Sequence, residues 1–144
     1  MKFFASLLAL FAVATSVVAG GATVPVTYDE TYDNWSQSLD TVACSNGQNG
    51  LLTKGYTTFG SLPDFPYIGG AQAVTGWNSP NCGTCWKLYY PVTGVSINVL
   101  AIDFAGSGFN IALEAMNVLT DGDAVDVGRV EVEAFQVDAS VCGL

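Results

Sequence analysis

The chain has 144 residues, half of them hydrophobic, with 13 Asp and Glu against 4 Lys and Arg, no His and a formal net charge of −9. A surface of that sign has no basic patch with which to displace counterions from nucleic acid or to attract anionic lipid headgroups, so neutral ligands fit it better. The absence of His removes Ser-His-Asp and Cys-His nucleophilic arrangements and leaves paired carboxylates as the remaining hydrolytic machinery.

Lys2 precedes an almost purely apolar run over residues 3–18, and Val17-Val18-Ala19 closes it with the small-residue pattern of a signal-peptidase site. The reading is an export segment over 1–19, cleaved between 19 and 23, because the run is too short and too Ala-rich for a transmembrane span. The rest of the chain, about 120 residues, is the size of one domain with a sizeable core, and that domain is assigned to 24–144. Abundant aromatics set it apart from a disordered acidic tail. The expected product is a secreted, extracellular, single-domain protein.

Val24-Pro25-Val26-Thr27-Tyr28 alternates like a strand, with Pro25 tolerable at a strand start or edge. A polar, acidic loop continues through Asn34, and Asn34-Trp35-Ser36 is a formal N-glycosylation sequon. Residues 38–44 read as one helical turn leading into an extended piece, 45–50 as a turn rich in Asn and Gly, and 55–70 as an ordered loop carrying aromatics. Strands are predicted over 71–77, 85–90 and 95–103, the last two joined as a hairpin by Pro91-Val92-Thr93-Gly94. Asn110 is read as the N-cap of a helix over 110–119 that stops at Thr120-Asp121-Gly122. Asp121-Gly122-Asp123-Ala124-Val125-Asp126 resembles a calcium loop only in its acidic spacing and is read as a turn. Residues 129–137 alternate at period two, with a bulge expected near Ala134. Many short strands, crowded glycines and one helix argue for a small closed barrel.

Two of the four cysteines, Cys82 and Cys85, lie between Trp77 and Trp86; the others, Cys44 and Cys142, flank them at long range. A redox Cys-x-x-Cys opens a helix after a strand, whereas this one precedes the strand-like Trp86-Lys87-Leu88-Tyr89-Tyr90. Zinc would require all four cysteines. In an oxidising compartment the pattern reads instead as two bridges running from the central pair to the two flanks, with the partners left open.

Asp103 is the best placed acid, since it ends an apolar strand and precedes Phe104, Ala105 and a glycine-rich turn. Partial desolvation would suit it to donate a proton or a hydrogen bond to a sugar oxygen; the plainer alternative is an Asp that caps the turn with its own backbone. Hydrolysis would need a second carboxylate across the scissile bond, and Asp29, Asp33 and Asp40 qualify only by being acidic and early in the chain. Tyr28, Tyr32, Trp35, Tyr56, Trp77 and Trp86 offer flat faces for sugar rings, with Tyr56 and Tyr28 preferred for their polar, loop-like surroundings.

Ordered segments across nearly the whole mature chain resemble the cerato-platanin family: Val26-Thr27-Tyr28-Asp29 with Tyr32-Asp33, Val42-Ala43-Cys44-Ser45, Gly55-Tyr56 with Thr58-Phe59-Gly60-Ser61-Leu62-Pro63, Gly76-Trp77-Asn78-Ser79, Cys82-Gly83-Thr84-Cys85-Trp86, Ala101-Ile102-Asp103, Gly108-Phe109-Asn110-Ile111 and Cys142-Gly143-Leu144. The resemblance implies a secreted fungal protein with a mainly β, six-stranded double-psi barrel, short helices and the disulfides Cys44–Cys82 and Cys85–Cys142. It implies a non-catalytic, expansin-like binder of chitin or N-acetylglucosamine oligomers, and of cellulose, that plants perceive as an elicitor through a receptor. It assigns the sugar groove to Asp103, Tyr56, Thr57, Trp77 and Asn78, to which the reading of the aromatics adds Tyr28. Neither cofactor nor metal is implied, and a monomer is expected, with self-assembly at interfaces known among relatives. The competing readings are a signalling elicitor or phytotoxin with incidental sugar binding, and a weak glycoside hydrolase.

Overall fold

The computed structural model describes residues 21–144; the expected export segment lies outside the described residues. Six strands form one closed barrel: β1 (Ala22–Tyr28), β2 (Ile68–Ala71), β3 (Cys85–Tyr90), β4 (Val95–Phe104), β5 (Phe109–Ile111) and β6 (Arg129–Val137). The order around it is β1-β5-β2-β4-β3-β6, with β6 pairing back onto β1. The β1–β5 and β2–β4 pairs are parallel and the remaining pairs antiparallel. Two short helices, α1 (Leu113–Thr120) and α2 (Ala124–Val127), complete it. The expected class, a mainly β six-stranded barrel with short helices, is the one formed, and closure gives every strand a partner on both sides over at least part of its length.

Alternation drives the long strands. In β6, Val130, Val132 and Ala134 are buried while Arg129 and Glu131 face water. The bulge expected near Ala134 does not occur, because β6 keeps unbroken register against both β1 and β3. Phe135 therefore stays in the outward phase, where its ring covers Gly21. The irregularity falls in β2 instead, between Gly69 and Gly70.

The strand predicted over 71–77 is also corrected: the chain pairs over Ile68–Ala71 and then turns, with the Val74 N–H donating to the Ala71 carbonyl at 3.0 Å. Gly69 and Gly70 sit so close to neighbouring backbone that a Cβ on Gly70 would lie 2.7 Å from the Phe104 carbonyl oxygen. Two residues without side chains hide this strand from any hydrophobic pattern. It takes up the end of the loop expected over 55–70, whose middle holds a 3-10 turn (Phe59–Ser61) closed by a reciprocal Thr58–Ser61 cap. The helical turn expected near residue 38 forms as Leu39–Thr41, capped by Ser38.

Asn110 does not cap the helix. It lies in β5, where its Oδ1 accepts from the Thr27 hydroxyl of β1 at 2.9 Å. The helix starts three residues later and is capped from 80 residues upstream: Leu113 and Glu114 N–H groups donate to the Asp33 carboxylate at 2.8 and 2.9 Å. It ends as expected, with Asp121 in the left-handed region at φ 55°. Part of the acidic stretch read as a turn coils into α2. The disulfides are Cys44–Cys82 and Cys85–Cys142, the pairing implied by the family resemblance, so the central pair ties the front of the domain to its last residues.

Candidate functional site

β4 carries Asp103 one residue before its end, with Leu100, Ala101 and Ile102 buried ahead of it and the carboxylate half-exposed at the barrel rim. Three donors converge on it. Oδ2 accepts from the Tyr32 hydroxyl at 2.9 Å, and Oδ1 accepts from the Ala43 N–H at 3.0 Å and the Phe104 N–H at 2.8 Å. The local turn cap is thus present, but two of the three bonds come from residues 71 and 60 positions away. Asp103 acts as an acceptor that fastens three segments together, rather than the proton donor expected from its apolar neighbours.

Tyr32 is buried and stacks on Phe59 with ring centroids 6.0 Å apart. Burial first, then the Asp103 charge and hydrogen bond, push its phenol well above its ordinary range, so it stays a neutral O–H donor. Ala43 is held equally firmly. Next to it, the Cys44 N–H donates to the Ile102 carbonyl of β4 at 3.1 Å, the Cys44–Cys82 bridge anchors the same residue, and the Ala43 carbonyl accepts from Asn78 at 3.3 Å.

That last bond brings in Trp77 and Asn78. Asn78 adopts φ 59°, a conformation Asn tolerates better than most residues. Its side-chain oxygen accepts from the Asn49 N–H at 2.8 Å and its carbonyl from the Asn49 amide at 3.1 Å. Asn78 therefore shapes the loop. Trp77 beside it is 64 % exposed, with its indole N–H donating to Asn46 at 2.9 Å. Phe104, next to Asp103, is 55 % exposed. The rim so built is a fixed carboxylate joined through Ala43 to one exposed aromatic and followed directly by another.

The structure connects Asp103, Trp77 and Asn78, and leaves the other three expected groove residues outside this hydrogen-bonded unit. Tyr56 is partly buried against the core. Thr57 is exposed and its carbonyl accepts from Leu39 at 2.9 Å. Tyr28 ends β1 opposite Ile111 and also packs on the core. The two central tryptophans part company: Trp86 is half-buried, edge-on to Phe109 at 5.7 Å, whereas Trp77 faces solvent. Tyr32's role was missed because a tyrosine in an acidic loop gives no sign of being buried, and Phe104's because an apolar residue at a strand end reads as core. Two of the early carboxylates are already in use, Asp29 capping a 3-10 turn through the Thr31 N–H at 2.9 Å and Asp33 capping α1.

A small, doubly bridged barrel with a clamped aspartate at its rim and two exposed aromatic residues on the connected segments is the class that fold and site define. Residues 24–144 match the model of the cerato-platanin family. The chain is 54 % identical over 119 residues to Allergen Asp f 15 of Aspergillus fumigatus, covering 83 % of this chain and 76 % of that one. It superposes on the crystal structure of cerato-platanin 3 from M. perniciosa with a TM-score of 0.82 at 50 % identity, covering 85 % of this chain and all of the other. With the solution structure of the fungal elicitor Cerato-Platanin the TM-score is 0.75 at 42 % identity, over 83 % of this chain and 96 % of that chain. The protein belongs to the cerato-platanin family.

Proposed function

We propose that this is a secreted, non-catalytic polysaccharide-binding protein that loosens contacts between wall polymer chains and takes chitin or N-acetylglucosamine oligomers at the Asp103 rim. The observation that carries the reading is the clamped Asp103 carboxylate, with exposed Phe104 next to it in sequence and exposed Trp77 preceding Asn78, whose N–H donates to the Ala43 carbonyl. Flat aromatic faces stack on the CH faces of pyranose rings while a fixed acceptor takes hydroxyl hydrogens. A chain held this way exchanges polymer–polymer hydrogen bonds for protein–polymer ones, with no covalent step. Two of the three early carboxylates considered as a second acid-base partner, Asp29 and Asp33, are occupied as caps.

The test is an amide-shift titration with N-acetylglucosamine tetramer of the wild type and of Asp103→Asn, with a reducing-end assay on the same samples. Shifts at Ala43, Trp77 and Phe104 that weaken in the variant, with no new reducing ends, support the reading. New ends, lost in the variant, would make the protein a hydrolase instead.

A second reading, host perception through exposed loops, draws support from the names of the relatives, an allergen and a fungal elicitor. An Asp103→Asn protein that no longer binds sugar but still triggers plant defence would favour it.

A further inference from the structure

A second aspartate has none of the partners that Asp103 enjoys. Asp64 lies in the loop before β2, and its Oδ2 is shielded from solvent without a hydrogen-bond partner. A buried carboxyl oxygen left this way is costly when charged and is relieved by a proton. Burial raises the Asp64 carboxyl to about 7. In a mildly acidic medium it is therefore a neutral acid, able both to donate and to accept.

Asp64 lines a groove of about 250 Å³ together with Tyr67, Ser96, Ile97, Asn98 and Val118, with Oδ2 beneath the surface and the rest of the half-exposed carboxyl available to the groove. The sequence of β4 explains the lining. Ile97 and Val99 fill the barrel interior, so Ser96 and Asn98 fall in the outward phase, exposed and half-exposed. Val118 is exposed on α1. The groove thus combines an apolar floor and a tyrosine with a carboxyl, a hydroxyl and an amide. It lies toward the start of β4, whereas the rim aspartate stands at its end.

We propose that this groove is a second saccharide site that takes one neutral pyranose residue, its CH face on Tyr67 and Val118 and its hydroxyls on Asp64, Ser96 and Asn98. One carboxylate with two neutral side chains is a thin set for a hard cation, which takes six to eight oxygens, and a neutral acid lacks the charge to hold an ammonium group. The volume falls below the ~300 Å³ at the lower end of small-molecule pockets, which fits one ring rather than an oligomer. With a site toward each end of β4, the protein bridges two polymer chains rather than lying along one.

The experiment is an amide-shift titration at mildly acidic pH with N-acetylglucosamine tetramer and, separately, cellotetraose. Expected are shifts at Tyr67, Ser96 and Asn98 that titrate independently of those at Ala43 and Trp77. Asp64→Asn keeps them, since an amide also donates and accepts. Asp64→Leu abolishes them while thermal unfolding shows it still folded, and Asn98→Ala weakens binding about tenfold, the equivalent of ~1.4 kcal/mol. Shifts confined to the rim would overturn this inference and leave the proposed function standing. Shifts confined to the groove would do the reverse, and no shift at either place with either sugar would overturn both. Groove shifts that survive Asp64→Leu would also overturn it.

Discussion

Asp103 on β4 and Asp64 in the loop before β2 are both half-exposed aspartates, yet only one is chemically settled. Asp103 receives a phenol and two backbone N–H groups, whereas Asp64 has a buried oxygen that receives nothing. The difference lies in the chain segments the barrel delivers to each. Toward the end of β4, the Cys44–Cys82 bridge and the 3-10 turn of Tyr32 (Glu30–Asp33) bring donors from far upstream. Near Asp64, the neighbours are two apolar residues and three polar side chains that do not reach Oδ2. A carboxylate with its donors in place fixes the fold around it; one without them is free to take a proton or a ligand.

The largest test of this comparison removes the bridge. The Cys44→Ala, Cys82→Ala double variant frees a loop closed across 38 residues and is expected to lose ~4 kcal/mol in urea unfolding. Because Cys44 adjoins Ala43, amide shifts should spread through Ala43, Trp77 and Asp103 and leave Ser96 and Asn98 in place. Equal disturbance at both ends of β4 would break the contrast.

Asp103→Ala comes next. It leaves the buried Tyr32 hydroxyl and the Ala43 N–H without their acceptor and is expected to cost ~2–3 kcal/mol. Asp103→Asn, which keeps an acceptor for the two N–H groups, should cost ~1 kcal/mol, in the range of one net hydrogen bond. Tyr32→Phe sharpens the point: it deletes one donor to a carboxylate that water can still reach, so ~1 kcal/mol is expected by denaturant titration. A loss as large as that of Asp103→Ala would place the stabilisation in the Tyr32–Phe59 packing rather than in the clamp.

Much of the scaffold was legible in the residues. The alternation of β6, the β3–β4 hairpin and the long-range cysteine bridging carried the barrel, and family likeness supplied the disulfide partners. What escaped depended on contacts between distant segments. Gly69 and Gly70 form a strand because two backbones need them to lack side chains. Asn110 looked like a cap but is held by Thr27, while the true cap, Asp33, arrives from another element. At the site, Asp103 stood out because its apolar strand precedes it directly. Asp64 did not, since the groove it lines is completed by residues of β4 and α1 and leaves no trace in its own surroundings of Leu62, Pro63 and Phe65.

The smallest effect is also the sharpest, because it belongs to Asp64 alone. Its carboxyl titrates near 7 when folded, against 3.8 for the free residue. Below the lower value both states are protonated and the full stability is present. Between the two, the folded protein holds a proton that the unfolded chain has released, so stability falls as pH rises and levels off above about 7. For a half-exposed group, screened by solvent, the loss should be about 1 kcal/mol. Asp138, lowered by its hydrogen bonds with Ser140, acts in the opposite sense at the acid end, where stability is lost as pH falls, and Tyr32 acts only in strongly alkaline solution. Subtracting the pH–stability curve of Asp64→Asn from that of the wild type removes both and should leave a single descending step. A flat difference would mean that Oδ2 already has a partner, and the contrast with Asp103 would collapse. A step that moves to lower pH on saturation with cellotetraose would show a sugar hydroxyl donating to the accessible part of the same carboxylate.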